Sequence, residues 1–122
     1  MTSNIQDLLK QLRTDYLATF PSKIEILEKL WQTSEIDLLK TEYHKLKGTG
    51  RTYGITEISQ VGEALELLCH APRKVLDQAV PQSLDLLKRI HKMRQSEQVI
   101  NLDIDLSFQL ILNLIIQYNS SK

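Results

Sequence analysis

His44 lies in a run whose apolar residues recur every three or four places. On a helix its neighbours one turn away are Lys40, Lys47 and Gly48, with Arg51 two turns along. This face joins an imidazole to cations and a glycine. Neutral imidazole is a nucleophile, and an unperturbed one titrates at about pH 6.5. A phosphoryl group placed on it would bring negative charge and several acceptor oxygens. Lys47 could stabilise that charge as a mobile point cation. Lys40, Lys45 and Arg51 are candidate binding cations that could steer an anionic partner. Gly48 removes side-chain bulk beside the ring, so a docked partner could bring a phosphorylated group close enough for in-line transfer. Glycine inside a helix costs about 1 kcal/mol relative to alanine. Access to His44 is the reason assigned to Gly48, and close approach of another helix is the reason assigned to Gly50.

The other reactive side chains lack such a setting. His70 falls at a helix end, where a cation is mildly favourable. His91 sits among Lys88, Arg89, Lys92 and Arg94, a run that reads first as a solvated basic face and second as a surface for an acidic partner. Cys69 reads as a small core residue. No Cys/His cluster has metal-ligand spacing. The chain also has no glycine-rich loop of the phosphate-cradling type.

The elements that must position His44 are helical, since strand-like alternation is scarce. A first helix is expected from about Asn4 to Thr19, with Ile5, Leu8, Leu9, Leu12, Tyr16 and Leu17 on one side. Pro21 marks a break or a new start, followed by a second helix carrying Ile24, Leu27, Leu30 and Trp31. Ser34 is expected to cap the third helix, with Asp37 three residues on. That helix has a seam of Ile36, Leu39, Tyr43, Leu46, Gly50 and Tyr53. Gly54 should end it, and Thr56 should cap the fourth helix, built on Ile58, Val61, Leu65 and Leu68. A fifth helix is expected from about Pro81 to Arg94, with Leu84, Leu87 and Ile90 inward. A sixth, from about Asp105 to Tyr118, begins with a capping aspartate. Its apolar residues run almost round the helix, which suits either packing on the bundle or a homodimer contact. The fold expected is all-α: an up-down antiparallel four-helix bundle with an N-terminal helix and an additional C-terminal helix. Residues 1–122 would form one domain, with 1–95 as the bundle core and 104–118 as the extra helix.

The run His44-Lys45-Leu46-Lys47-Gly48-Thr49-Gly50 resembles the signature of histidine-phosphotransfer (HPt) domains, in which lysine and glycine follow the histidine at the third and fourth places. The resemblance extends through Gly54 to Glu66. It is closest to the phosphoacceptor domain at the front of CheA-type chemotaxis kinases, where a glycine and a glutamate stand ten and twenty-two residues after the histidine. It implies a four-helix bundle and phosphorylation at Nε2 of His44. It also implies that Glu66 accepts a hydrogen bond from Nδ1–H, fixing the tautomer; Glu63, one turn earlier, is a possible substitute. Lys45, Arg51 and Tyr53 depart from the usual pattern without removing a chemical part. The sixth helix has no counterpart in a minimal domain of this kind.

Fifteen basic residues balance fifteen acidic ones, which argues against bulk nucleic-acid binding. The apolar run from Leu106 to Tyr118 falls short of the roughly 20 residues needed to span a bilayer. With a single cysteine and no signal-peptide pattern, a cytoplasmic setting is expected. The resulting expectation is a two-component phosphorelay carrier without kinase activity of its own. Its partners would be a histidine kinase and a response-regulator receiver domain. It would need no cofactor, the Mg²⁺ of the transfer belonging to the partner. The alternatives are a bundle that regulates a kinase or receiver without carrying phosphate, and the front domain of a longer CheA-like kinase.

Overall fold

Pro21 does not break the first helix. In the computed structural model, which describes residues 3–120, α1 runs unbroken over Ser3–Gln32 with Pro21 inside it. Proline has no N–H, so the carbonyl of Leu17 loses its intrahelical partner. His91 supplies the missing donor: its Nε2 lies 2.8 Å from Leu17 O, and its ring stacks on Phe20 at 6.0 Å between centroids. This corrects two expectations, the break at Pro21 and the placing of His91 on a solvated basic face. We expect His91→Ala to cost about 1–3 kcal/mol in urea unfolding, because a part-buried carbonyl loses its donor. In a Pro21→Ala background the helix regains its own donor, and the cost of His91→Ala should shrink. An equal cost in both backgrounds would show that this bond is not the cause.

Four more helices follow: α2 (Ile36–Thr52), α3 (Thr56–Leu68), α4 (Arg73–Gln95) and α5 (Leu106–Ser120). The α1–α2 turn is a Schellman motif, with Glu35 N–H on Leu30 O (2.9 Å) and Ser34 N–H on Trp31 O (3.1 Å). Ser34 takes the left-handed conformation, φ 60°, and so ends α1 instead of capping α2. Its hydroxyl accepts from Arg73. Gly54, φ +73°, closes α2 by the same motif, a position that favours glycine. Thr56 is the first residue of α3 and Ile55 precedes it without a side-chain cap, so the expected threonine cap is absent. α4 begins at Arg73, not Pro81. Pro81 is exposed within it, where water can solvate the carbonyl of Asp77 that it leaves without a partner. Asp105 does cap α5, accepting from Phe108 N–H at 3.0 Å. Arg89 grips the same carboxylate at 2.7 and 3.2 Å, and these donors hold it below the usual carboxylate range.

The described residues are thus all-α. α1 to α4 enclose a core that includes Phe20, Leu27, Leu39, Tyr43, Ile58, Leu65, Leu86 and Leu87. α5 lays Phe108, Ile111 and Leu114 against α4 and α3, so part of its apolar surface is covered within the bundle. The start of α1 is different. Arg13 reaches Tyr53 O at the end of α2, and the residues before it project past that end. Ile5 (70% exposed) and Leu12 (41%) therefore lie outside the core that their stripe joins at Tyr16. Among the described residues, no helix is long and apolar enough to cross a membrane.

Candidate phosphoacceptor site

Leu39, Tyr43, Leu46 and Gly50 bury one face of α2. That face turns His44 outward, leaving its side chain 66% exposed. α3 packs alongside and brings Glu66 to the ring. Glu66 Oε2 lies 2.6 Å from His44 Nδ1, and the glutamate is only 21% exposed. A carboxylate oxygen accepts, so Nδ1 carries a proton, and in the neutral ring the lone pair then lies on Nε2. Glu66, not Glu63, meets the imidazole. Residues twenty-two apart in sequence are joined because a single turn separates two antiparallel helices.

The cations spread around this centre. Lys40 lines an open groove of about 290 Å³ with Asp37, Thr41, His44 and Glu66. Lys47 is half-buried one turn beyond the histidine, and Arg51 is exposed a further turn away. Lys45 turns off this face and pairs with Glu42 at 3.2 Å. At Gly48 an added Cβ would meet nothing within 4 Å. Internal packing therefore does not require glycine there. At Gly50 the reverse holds: a Cβ would come within 2.5 Å of Ser59 N on α3.

Two residues on α3 gave no clear signal in the sequence. Ser59 donates its hydroxyl proton to Lys47 O at 2.7 Å. Gly62 packs so closely on α2 that a Cβ would lie 2.7 Å from both Tyr43 O and Lys47 N. A small residue in an apolar helical pattern does not announce which neighbour it touches.

The remaining nucleophiles are poorly placed. Cys69 is buried, and burial pushes its thiol up to about 11, so little thiolate forms near neutrality. His91 is engaged with Leu17. His70 is exposed beyond α3, where its carbonyl accepts from Tyr118. Among the described residues, no three His, Cys, Asp or Glu side chains gather as a metal ion would require.

A family model described as Hpt domain matches residues 11–100. That span holds α2, α3, α4 and most of α1, and it ends before α5. The match is to Hpt domains at large and does not single out the chemotaxis-kinase branch. No curated protein and no solved structure gives a significant match.

Proposed function

We propose, from the premise that this chain belongs to the Hpt domain family, that His44 accepts a phosphoryl group at Nε2 and exchanges it with the aspartate of a response-regulator receiver. What carries this reading is the 2.6 Å bond between His44 Nδ1 and Glu66 on an otherwise exposed ring. The Nε2 lone pair attacks the phosphorus of an aspartyl phosphate in line with the breaking P–O bond, and the aspartate leaves as carboxylate. The proton stays on Nδ1, and the imidazolium so formed keeps Glu66 as its counter-charge. Lys47 can swing its ammonium to the incoming oxygens. Gly48 leaves the partner room to approach. The chain contributes position and one oriented nucleophile. The divalent cation of such a transfer belongs to the partner's acidic site, and a histidine kinase is the other natural source of the phosphoryl group.

The test is transfer of labelled phosphate from a phosphorylated receiver, or from a kinase with ATP. Acid-labile, alkali-stable label on the chain is the expected result. Absence of label with every competent donor, from a chain of normal helical content, would overturn the proposal. Lys47→Ala should slow transfer about 10-fold, the scale of one charge-assisted hydrogen bond, with an unchanged circular dichroism spectrum. Loss of the fold instead would show that the Lys47 stem is a packing element.

A further inference from the structure

Ser59, Gly62 and Glu66 stand at intervals of three and four on α3, so they share one face. All three bear on the same turn of α2. Glu66 holds the ring of His44. Ser59 bonds the carbonyl of Lys47. Gly62 sits against Tyr43 O and Lys47 N, at a distance where a Cβ would come within 2.7 Å of each. Those two atoms are the acceptor and donor of the helical bond spanning His44, since an N–H bonds the carbonyl four residues earlier. Gly50 makes the same kind of contact from the other side, against Ser59 N. The two helices therefore meet backbone to backbone around the nucleophile.

We infer that Gly62 and Ser59 are positioning residues for His44. They set the α2–α3 separation at which the Glu66 carboxylate can hold Nδ1–H, and through it they set the tautomer of the ring. This deepens the phosphoacceptor reading and rests on it for its chemical use. The bond is short, 2.6 Å, and it joins a side chain on α2 to one on α3. A Cβ at residue 62 meets backbone atoms, which cannot step aside as a side-chain tip can. α3 must move away, or roll, and the carboxylate moves with it. Beyond about 3.5 Å the hydrogen bond is gone. An imidazole released from the carboxylate then distributes its proton between both nitrogens, and the fraction with a free Nε2 lone pair falls.

Imidazole ¹⁵N chemical shifts read that distribution directly and need no phosphoryl donor. They should be recorded above the titration of the ring in the wild type, Glu66→Ala, Gly62→Ala, Ser59→Ala and the double variant Gly62→Ala/Glu66→Ala. Gly62→Ala should raise the Nε2–H fraction, as removal of the acceptor in Glu66→Ala should. The double variant should match either single one, because both act through the same bond. Ser59→Ala creates no clash and keeps a buried small residue, so it should fold normally and give a smaller shift in the same direction. Phosphotransfer should fall about 10-fold in Gly62→Ala, with no further fall on adding Glu66→Ala. Retention of Nδ1–H in folded Gly62→Ala overturns the inference. So does additivity of the two substitutions, which would mean that Gly62 acts on the fold at large. Should Gly62→Ala fail to fold, an unmoved tautomer in Ser59→Ala overturns it alone. If no variant, wild type included, takes up phosphate, the relay reading fails while the tautomer data still decide the positioning.

Discussion

Replacing His44 with glutamine should reduce acid-labile labelling of the chain to background while leaving its stability within about 0.5 kcal/mol, as for an exposed side chain. Glutamine has nearly the length of histidine and an N–H that can still reach Glu66. It has no ring nitrogen lone pair to attack phosphorus. The two remaining histidines should not substitute. A ring nitrogen of His91 is occupied by Leu17 O, and its ring is stacked on Phe20. His70 is accessible, but no carboxylate hydrogen-bonds its ring among the described residues to fix a nucleophilic tautomer. The measurement is autoradiography or mass spectrometry after incubation with a phosphorylated receiver, with urea unfolding as the control for structure. Label persisting in His44→Gln and vanishing in His70→Gln would move the acceptor to the end of α3 and overturn the assignment of the α2 face.

His44 was legible because its surroundings are local. The seam Leu39, Tyr43, Leu46 and Gly50 and the face Lys40, His44, Lys47 and Gly48 lie on one helix, and the period of that helix sorts them. Glu66 is remote in sequence and came only through a family resemblance. Ser59 and Gly62 did not come at all, because nothing local says that they touch α2. The prolines failed for a related reason. Local rules put Pro21 and Pro81 at helix starts. Yet Pro21 is compatible with a continuous helix when a donor arrives from elsewhere, and that donor, His91, is on α4. Pro81 is tolerated where water can do the same work. The stripe on α1 misled in another way. Ile5, Leu8, Leu9 and Leu12 do follow the core period, but amphipathicity cannot say where the neighbouring helix stops. α2 ends beside Arg13, so the pattern outruns its partner.

The largest stability effect expected is at Arg94. Its Nε and Nη2 lie 2.7 and 2.6 Å from the two oxygens of Glu57, a bidentate pair in which Glu57 is only 3% exposed. The same guanidinium approaches Gly54 O at 3.5 Å. One side chain near the end of α4 thus holds the start of α3 and the turn leading into it. In the sequence Arg94 stands out only as a member of a basic run. Arg94→Met keeps much of the stem's apolar volume but strands a buried carboxylate, which costs about 3–5 kcal/mol. A domain of this size has about 5–15 kcal/mol in total, so the urea midpoint should fall by about a fifth or more. The energy at issue is mostly the penalty of the unpaired charge, not the net worth of the pair. The double variant Arg94→Met/Glu57→Met should therefore recover most of the loss. If the double is as unstable as Arg94→Met alone, the guanidinium acts chiefly through the Gly54 carbonyl and the turn. If Arg94→Met costs under about 1 kcal/mol, as an exposed pair would, water reaches Glu57 once the arginine is gone. The assay also bears on the site. α3 carries Ser59, Gly62 and Glu66, and Glu57 anchors its first turn. Slower phosphotransfer in Arg94→Met at temperatures well below unfolding would mean that the anchor at one end of α3 is felt two to three turns along, at the imidazole.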